Sequence, residues 1–189
     1  MKILLFGSIA AGKTEIANEI LKVHPGFEYI AIDDYRRKYG DGSMLSELTV
    51  RKRFIAAIKK LKNQIIEASG LGELGYSIFE KLADTNDKIL LVILYSDVPE
   101  IMKRVKKRIW DIPFPGEQEN LDQIIQRINL ELSFGKIETI WAVRENLNIY
   151  RTENLTKNDR TFIINFVSNF INTYNNDSIG NNRRDKKSI

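Results

Sequence analysis

Gly7-Ser-Ile-Ala-Ala-Gly12-Lys13-Thr14, near the start of the chain, is the stretch that decides its fold class. It fits the pattern G-x-x-x-x-G-K-[ST] at every position and lies between an apolar strand pattern, Lys2–Phe6, and a helical pattern, Lys13–Val23. Two glycines let such a turn point successive backbone N–H groups inward, and the helix that follows adds the positive end of its dipole. The stretch therefore predicts a cradle for a chain of phosphate groups.

The last two residues of this loop predict the rest of the phosphate site. The Lys13 ammonium can reach the β- and γ-phosphate oxygens, and the Thr14 hydroxyl can bind Mg²⁺. On this pattern the chain resembles the P-loop NTPase superfamily, which implies ATP and Mg²⁺ as cofactors. The residues expected to bind the nucleotide are those of the whole loop: Gly7, Ser8, Ile9, Ala10, Ala11, Gly12, Lys13 and Thr14.

Strand patterns alternate with helical patterns along most of the chain. This order predicts an α/β fold in three layers, α/β/α, with a mostly parallel five-stranded sheet. The expected strands are Lys2–Phe6, Glu28–Ile32, Asn63–Glu67, Lys88–Tyr95 and Asn146–Arg151. The expected helices are Lys13–Val23, Met44–Lys62, a short helix ending near Leu82, Val98–Ile109, Leu121–Val143 with a break near Gly135, and Arg160–Tyr174.

Asp33-Asp34-Tyr35-Arg36 follows the second expected strand, at the edge where ligands bind in open α/β sheets. A carboxylate there can take the proton of an attacking hydroxyl group, and an arginine can hold an acceptor phosphate. The quartet resembles one in the 5′-polynucleotide kinases, which implies that Asp33 is the general base and that Arg36 binds the acceptor. Asp34 is assigned to Mg²⁺, with a structural role as the alternative. The two aspartates could also simply end a strand.

Arg104 and Arg108 lie four residues apart, on one face of a basic helical pattern. P-loop kinases carry a mobile lid after the fourth strand, so the resemblance implies a lid at about residues 104–120. It makes Arg108 the catalytic arginine that contacts the transferred phosphoryl group and Arg104 its substrate-binding companion. The alternative is an ordinary solvated helix face, which also applies to the basic residues of 51–62 that could steer a phosphorylated or polynucleotide acceptor.

Two further assignments come from position in the superfamily. Glu67 closes the third strand, where these proteins often have an aspartate that orients the hydration shell of Mg²⁺. Because glutamate departs from that pattern, three roles stay open: metal binding, substrate binding through an acceptor hydroxyl, and a hydrogen bond to the loop. The loop before the last helix flanks the nucleotide base in P-loop kinases, so Asn154 is expected to bind the nucleotide, with Arg151 near it.

Two other motifs point to rival functions. Gly70-Leu-Gly72-Glu-Leu-Gly75 fits the dinucleotide pattern G-x-G-x-x-G, but too little sheet follows it for a full dinucleotide-binding domain. We therefore interpret these glycines as room for a substrate. Thr156-Lys-Asn-Asp159 resembles the guanine-recognition motif of GTPases, but no buried apolar strand precedes it. A helix N-cap is the simpler interpretation.

The composition excludes several kinds of chemistry. The 189 residues include no cysteine and one histidine, which excludes disulfides and zinc–thiolate sites and argues against a Ser-His-Asp triad. The net charge is +4, and half of it lies in the polar stretch 175–189, so the charge alone does not indicate a nucleic-acid partner. No apolar run reaches the about 18 residues of a membrane span, and the start does not resemble a signal peptide, so we expect a cytoplasmic protein.

Together these features predict a P-loop kinase domain at residues 1–174 and a flexible tail at residues 175–189. Its partners would be a nucleoside triphosphate and a small-molecule or polynucleotide acceptor, and the sequence gives no oligomeric state. Two alternatives stay open. One is a P-loop ATPase or GTPase that acts as a hydrolytic switch, and the other is a nucleic-acid-binding module with a vestigial nucleotide site.

Overall fold

The computed structural model describes residues 1–59, 62–83, 85–107, 111–113, 121–142, 144–154 and 156–184. Within them, five strands form one sheet in the order β2-β3-β1-β4-β5, and every neighbouring pair is parallel. The strands are β1 Lys2–Gly7, β2 Glu28–Ala31, β3 Gln64–Ala68, β4 Ile89–Tyr95 and β5 Leu147–Glu153. The predicted fold class is confirmed.

Helices cover both faces of this sheet. They are α1 Lys13–Val23, α2 Ile32–Tyr39, α3 Met44–Ala57, α4 Gly72–Ala83, α5 Val98–Lys107, α6 Leu121–Ser133, α7 Lys136–Trp141 and α8 Lys157–Arg184. Successive residues of a strand point to opposite faces. Leu4 and Phe6 therefore join one core with α3, α4 and α7, whereas Ile3 and Leu5 join a second core with α1 and α8. The result is the predicted three-layer arrangement. Among the described residues, none of these helices combines the length and the apolar character needed to cross a bilayer.

Strand β1 lies in the middle of the sheet and directs the loop that follows it. Its last residues pair with the ends of both neighbours, Phe6 with Ala68 of β3 and Gly7 with Leu94 of β4. The loop after β1 thus emerges at the carboxyl edge, at the point where the chain crosses from one half of the sheet to the other. Open α/β sheets bind their ligands at this position.

The main difference from the sequence prediction is helix α2. The sequence predicts that Asp33 and Asp34 follow a strand that ends at Ile32, but the strand stops at Ala31 and the aspartates lie in the first turn of a helix. This placement is favourable because acidic side chains interact well with the positive end of a helix, and Arg36, Arg37 and Lys38 occupy its last turn. A helix of 8 residues is too short to show a clear periodicity in the sequence.

Three other boundaries bear on the predictions. Helix α3 ends at Ala57, five residues before the expected Lys62. The predicted break near Gly135 is confirmed, since this residue has φ +69° and separates α6 from α7. Helix α8 extends to Arg184, ten residues beyond its expected end at Tyr174, into the segment predicted to be a flexible tail. No proline occurs in α8 and its first glycine is Gly180, so nothing stops the helix at residue 174.

Candidate active site

A cavity of about 790 Å³ opens at the carboxyl edge of the sheet, beside the loop Gly7–Thr14, called here the phosphate loop. Many of the predicted site residues line it: Gly7, Ile9, Ala10, Gly12, Lys13, Thr14, Asp33, Asp34, Arg36, Glu67 and Arg104. Ser8, Ala11 and Asn154 do not line it and are buried. Arg108, the predicted catalytic arginine, and most of the predicted lid lie outside the described residues.

Asn154 supports the phosphate loop through a buried hydrogen bond. Its Nδ2 donates a hydrogen bond of 2.7 Å to the Ala11 carbonyl, and the residue is 1% exposed. Gly12 has φ +84°, and a Cβ there would lie 2.3 Å from the same Nδ2, so only glycine fits above the amide. Asn154, expected from the sequence to bind the nucleotide, binds the backbone of the phosphate loop in this structure. Its side chain is buried against the loop backbone, outside the cavity.

Arg104 joins the loop to the end of the sheet. Its Nη2 donates to the Asn154 carbonyl over 2.9 Å, and its Nη1 lies 3.5 Å from the Ala10 carbonyl. Glu100, one turn earlier on α5, accepts a hydrogen bond from Nε at 3.1 Å. Arg104 thus lines the cavity while it also stabilises the loop, so part of its function is structural.

Lys13 holds its ammonium group inside the curve of the loop. Nζ donates to the Ser8 carbonyl over 2.7 Å and to the Gly7 carbonyl over 3.2 Å. It lies 4.0 Å from a carboxylate oxygen of Glu67. These oxygens stabilise a buried positive charge at the bottom of the cavity, where a phosphate chain could take their place.

Glu67 accepts hydrogen bonds from two hydroxyl groups. Thr14 Oγ1 lies 3.1 Å and 3.0 Å from its two carboxylate oxygens, and Tyr29 Oη donates to Oε2. Burial raises the pKa of Tyr29, and the charge of Glu67 raises it further, so the phenol keeps its proton and remains a donor. Of the three roles left open for Glu67, the structure shows the hydrogen bond to the phosphate loop. Tyr29 was missed, because one tyrosine in a strand gives no signal.

Arg36 lies between two carboxylates. Its Nε and Nη2 donate to both oxygens of Glu47, over 3.0 Å and 2.7 Å, and its Nη1 donates to Asp33 over 3.0 Å. Arg51 also donates to Glu47, over 3.0 Å. Burial alone would raise the pKa of Glu47, but the hydrogen bonds and charges of Arg36 and Arg51 outweigh it and hold that pKa below its ordinary value. Glu47 lies on a different helix, α3, and belongs to no sequence motif, so the sequence does not predict this ion pair.

A second group of ion pairs surrounds Arg37 on helix α2. Arg37 donates to Asp34 over 2.8 Å and to Asp111 over 2.9 Å. Asp34, predicted to bind Mg²⁺, is therefore paired with an arginine but also lines the cavity. Arg127 on α6 lines the cavity as well. It was not anticipated, because a helical pattern alone does not show which way a charged residue faces.

The two rival motifs have structural explanations. A Cβ on Gly75 would lie 2.1 Å from the Gly70 carbonyl oxygen, so the glycine allows close backbone packing and leaves no room for a substrate there. Thr156 and Asp159 cap helix α8 reciprocally, with hydrogen bonds of 2.8 Å and 3.1 Å between each backbone N–H and the other side chain. The N-cap interpretation is confirmed.

The oxygen donors of the cavity suit Mg²⁺. This ion prefers hydroxyl, carboxylate and phosphate oxygens and usually keeps several waters. Thr14, Asp33, Asp34 and Glu67 provide such oxygens around one cavity. No cluster of three or more acidic or histidine side chains able to hold a metal occurs among the described residues. A metal here would depend on the phosphates of a nucleotide, as is usual for Mg²⁺.

No family model and no curated protein matches the sequence. Solved structures do match. Shikimate kinase from Acinetobacter baumannii in complex with shikimate has a TM-score of 0.61 at 18% identity, over 92% of this chain and 93% of that one. A gluconokinase from Sinorhizobium meliloti 1021 has 0.57 at 11%, over 92% and 96%. Deoxyadenosine kinase from M. mycoides with bound dATP has 0.55 at 18%, over 91% and 100%. The chain therefore has the fold shared by these P-loop kinases.

Proposed function

We propose that the chain is an ATP-dependent phosphotransferase that moves the γ-phosphoryl group of ATP-Mg²⁺ to a hydroxyl or phosphate acceptor. The observation that carries the proposal is the meeting of three groups in one cavity: the Lys13 ammonium, the Thr14–Glu67 pair and the Asp33 carboxylate. The first two suit a nucleoside triphosphate. The third, Asp33, gives the site a general base for the hydroxyl of an acceptor. A hydrolytic switch has no acceptor and would not need such a base.

The phosphate loop would bind the triphosphate through backbone N–H groups and the start of helix α1. Lys13 would leave the Gly7 and Ser8 carbonyls and bind the β- and γ-phosphate oxygens instead. Thr14 would hold Mg²⁺ through the lone pairs of Oγ1 while its hydroxyl proton stays on Oγ1 and is donated to Glu67. When bound, Mg²⁺ neutralises charge on the β- and γ-phosphate oxygens.

Asp33 would act as the general base. Its side chain is 25% exposed and accepts a hydrogen bond from Arg36, which orients the carboxylate at the cavity wall. The acceptor oxygen would bond to the γ-phosphorus as the bond to the leaving ADP oxygen breaks, and the acceptor proton would pass to Asp33. Catalysis of this kind consists of positioning and charge stabilisation, so no covalent intermediate on the protein is expected.

Label transfer from γ-labelled ATP tests this function. Wild-type protein should move label to an acceptor, and Lys13→Ala should abolish the transfer. Lys103→Ala, which removes an exposed lysine of α5 that does not line the cavity, is the matched control and should keep it. Label that appears only as inorganic phosphate, whatever acceptor is added, would instead support the hydrolytic switch.

A further inference from the structure

Helices α2 and α3 form one wall of the cavity. From them Asp33, Asp34, Arg36, Arg37 and Arg51 line the space beside the proposed base. An acceptor that presents its hydroxyl to Asp33 must pass along these side chains. We call them, together with the carboxylates that pair with them, the acceptor wall.

The most buried cation of the acceptor wall, Arg36, already binds two carboxylates. Arg36 uses Nε and Nη2 to bind Glu47, whose side chain is 2% exposed, and Nη1 to bind Asp33. To bind an acceptor phosphate, Arg36 would have to leave Glu47 in a buried position with less compensation for its charge. A buried carboxylate that loses part of its pairing is unfavourable, because no water replaces the cation.

The other two cations of the wall are paired in the same way. Arg51 binds Glu47 over 3.0 Å and Glu73 over 3.2 Å. Arg37 binds Asp34 over 2.8 Å and Asp111 over 2.9 Å. Lys52 and Arg53, the neighbouring basic residues of α3, do not line the cavity. The basic residues Arg51, Lys52 and Arg53 of α3 therefore do not form a positive surface at this wall.

Counted over the described residues, three guanidinium groups of the acceptor wall face five carboxylates. The carboxylates are Asp33, Asp34, Glu47, Glu73 and Asp111. The wall thus has a net charge of about −2 at neutral pH. The phosphate loop, by contrast, has the Lys13 ammonium and a helix N-terminus. The α2–α3 side of the cavity therefore has more carboxylates than cations, whereas Arg127, on α6, lines the cavity outside this wall.

Resting on the proposed function, we infer that the acceptor is an uncharged alcohol, and that phosphorylated or carboxylated molecules are rejected at the acceptor wall. An anion there would meet net negative charge and find each arginine of the wall already bound to a carboxylate. An uncharged hydroxyl compound needs only Asp33 as hydrogen-bond acceptor. This replaces the sequence-based role of Arg36 as a phosphate clamp. Arg36 becomes a positioning residue that holds Asp33.

Matched acceptor pairs that differ in charge test the inference with γ-labelled ATP. We would compare D-glucitol with D-gluconate, and adenosine and thymidine with their 5′-monophosphates. In any pair that is used, the uncharged member should have the higher kcat/KM, by about tenfold or more at low salt, and the ratio should shrink as salt screens the wall. Preference for the anionic member of a pair overturns the inference, yet the kinase function then stands.

If the protein phosphorylates no compound of the panel, a binding measurement tests the inference instead. Inorganic phosphate would be titrated into protein saturated with Mg²⁺ and a non-hydrolysable ATP analogue, so that the phosphate loop is already filled. No saturable heat should appear up to about 10 mM phosphate. Saturable binding that Arg36→Gln removes would show a phosphate clamp and overturn the inference. Failure of the ATP analogue itself to bind would instead contradict the proposed function.

Charge reversal at the rim of the wall provides a third, independent result. Glu73 and Asp111 are 87% and 57% exposed, so Glu73→Lys together with Asp111→Lys should fold. The wall would then have a net charge of about +2, and the preference for uncharged acceptors should fall severalfold. A double variant that discriminates as strongly as the wild type would show that charge is not the cause.

Discussion

The Thr14 hydroxyl donates a hydrogen bond to the Glu67 carboxylate, with Oγ1 at 3.0 Å and 3.1 Å from the two oxygens. This contact joins the phosphate loop to the end of β3, across 53 residues of sequence. It orients the Thr14 proton toward Glu67 and leaves the oxygen lone pairs for a metal ion. Glutamate is one methylene group longer than aspartate, and the Glu67 carboxylate reaches the Thr14 hydroxyl directly.

Tyr29→Phe should weaken the use of Mg²⁺. The phenol hydroxyl fixes Glu67 Oε2, and without it the glutamate gains rotational freedom beside Thr14. A hydrogen bond to a charged group is worth about 1.5–3 kcal/mol, so the Mg²⁺ concentration for half-maximal ATP binding should rise by roughly tenfold. Titration of Mg²⁺ at fixed ATP measures this. Tyr76→Phe, which changes an exposed tyrosine, is the control, and equal Mg²⁺ dependence in both variants would contradict the prediction.

Asn154→Ala should destabilise the protein and loosen the phosphate loop. It removes the buried hydrogen bond to the Ala11 carbonyl and leaves a void under Gly12. The expected loss in the free energy of unfolding is about 1–3 kcal/mol, accompanied by weaker ATP binding. Urea denaturation and ATP titration measure the two effects. Asn148→Ala, on the exposed side of β5, should change neither, and the account of Asn154 is wrong if both variants behave alike.

Glu47→Gln should remove part of the acid sensitivity of the fold. The pKa of Glu47 is lower in the folded protein than its ordinary value of 4.5, so the ionised form stabilises the fold above that pH. This stabilisation is lost as the pH falls through the folded pKa. The variant should be less stable by about 3 kcal/mol at pH 7 and show a shallower loss of stability below pH of about 4.5. Thermal unfolding between pH 7 and pH 3 measures both, and parallel curves would contradict the assignment.

Asp33→Asn should separate catalysis from nucleotide binding. The amide keeps the shape of the side chain but cannot accept the acceptor proton, so kcat should fall by roughly 100-fold or more. The affinity for ATP should change little, because Asp33 lies at the acceptor wall. Asp41→Asn, on the exposed turn after α2 and outside the cavity, is the matched control. An unchanged kcat in Asp33→Asn would remove this residue from the role of base.

The phosphate loop and the layer order could be predicted because their determinants are local. The residues of Gly7–Thr14 are contiguous, and the buried strands β1 and β4 are continuous apolar runs that periodicity detects easily. Helix α1 was predicted with its observed bounds because His24 and Pro25 follow it directly.

The remaining features depend on contacts between distant segments. Glu47 meets Arg36 only because α2 and α3 fold against each other, and Asn154 meets Ala11 across 143 residues. Neither pair forms a motif. The same residue types in Asp33-Asp34-Tyr35-Arg36 fit a phosphate clamp and an ion-pair network equally well, and the sequence alone does not show that Arg36 pairs with Glu47.

Titration calorimetry with ATP and Mg²⁺ tests the central claim most directly, namely that the phosphate loop binds a triphosphate. The wild-type protein should bind one equivalent of ATP-Mg²⁺ saturably. Lys13→Ala should weaken this binding by roughly 100-fold or more, because the proposed role of the ammonium group is to bind the phosphates. The control Lys103→Ala should bind as the wild type does. Absence of saturable heat in the wild type with either ATP or GTP would contradict the account.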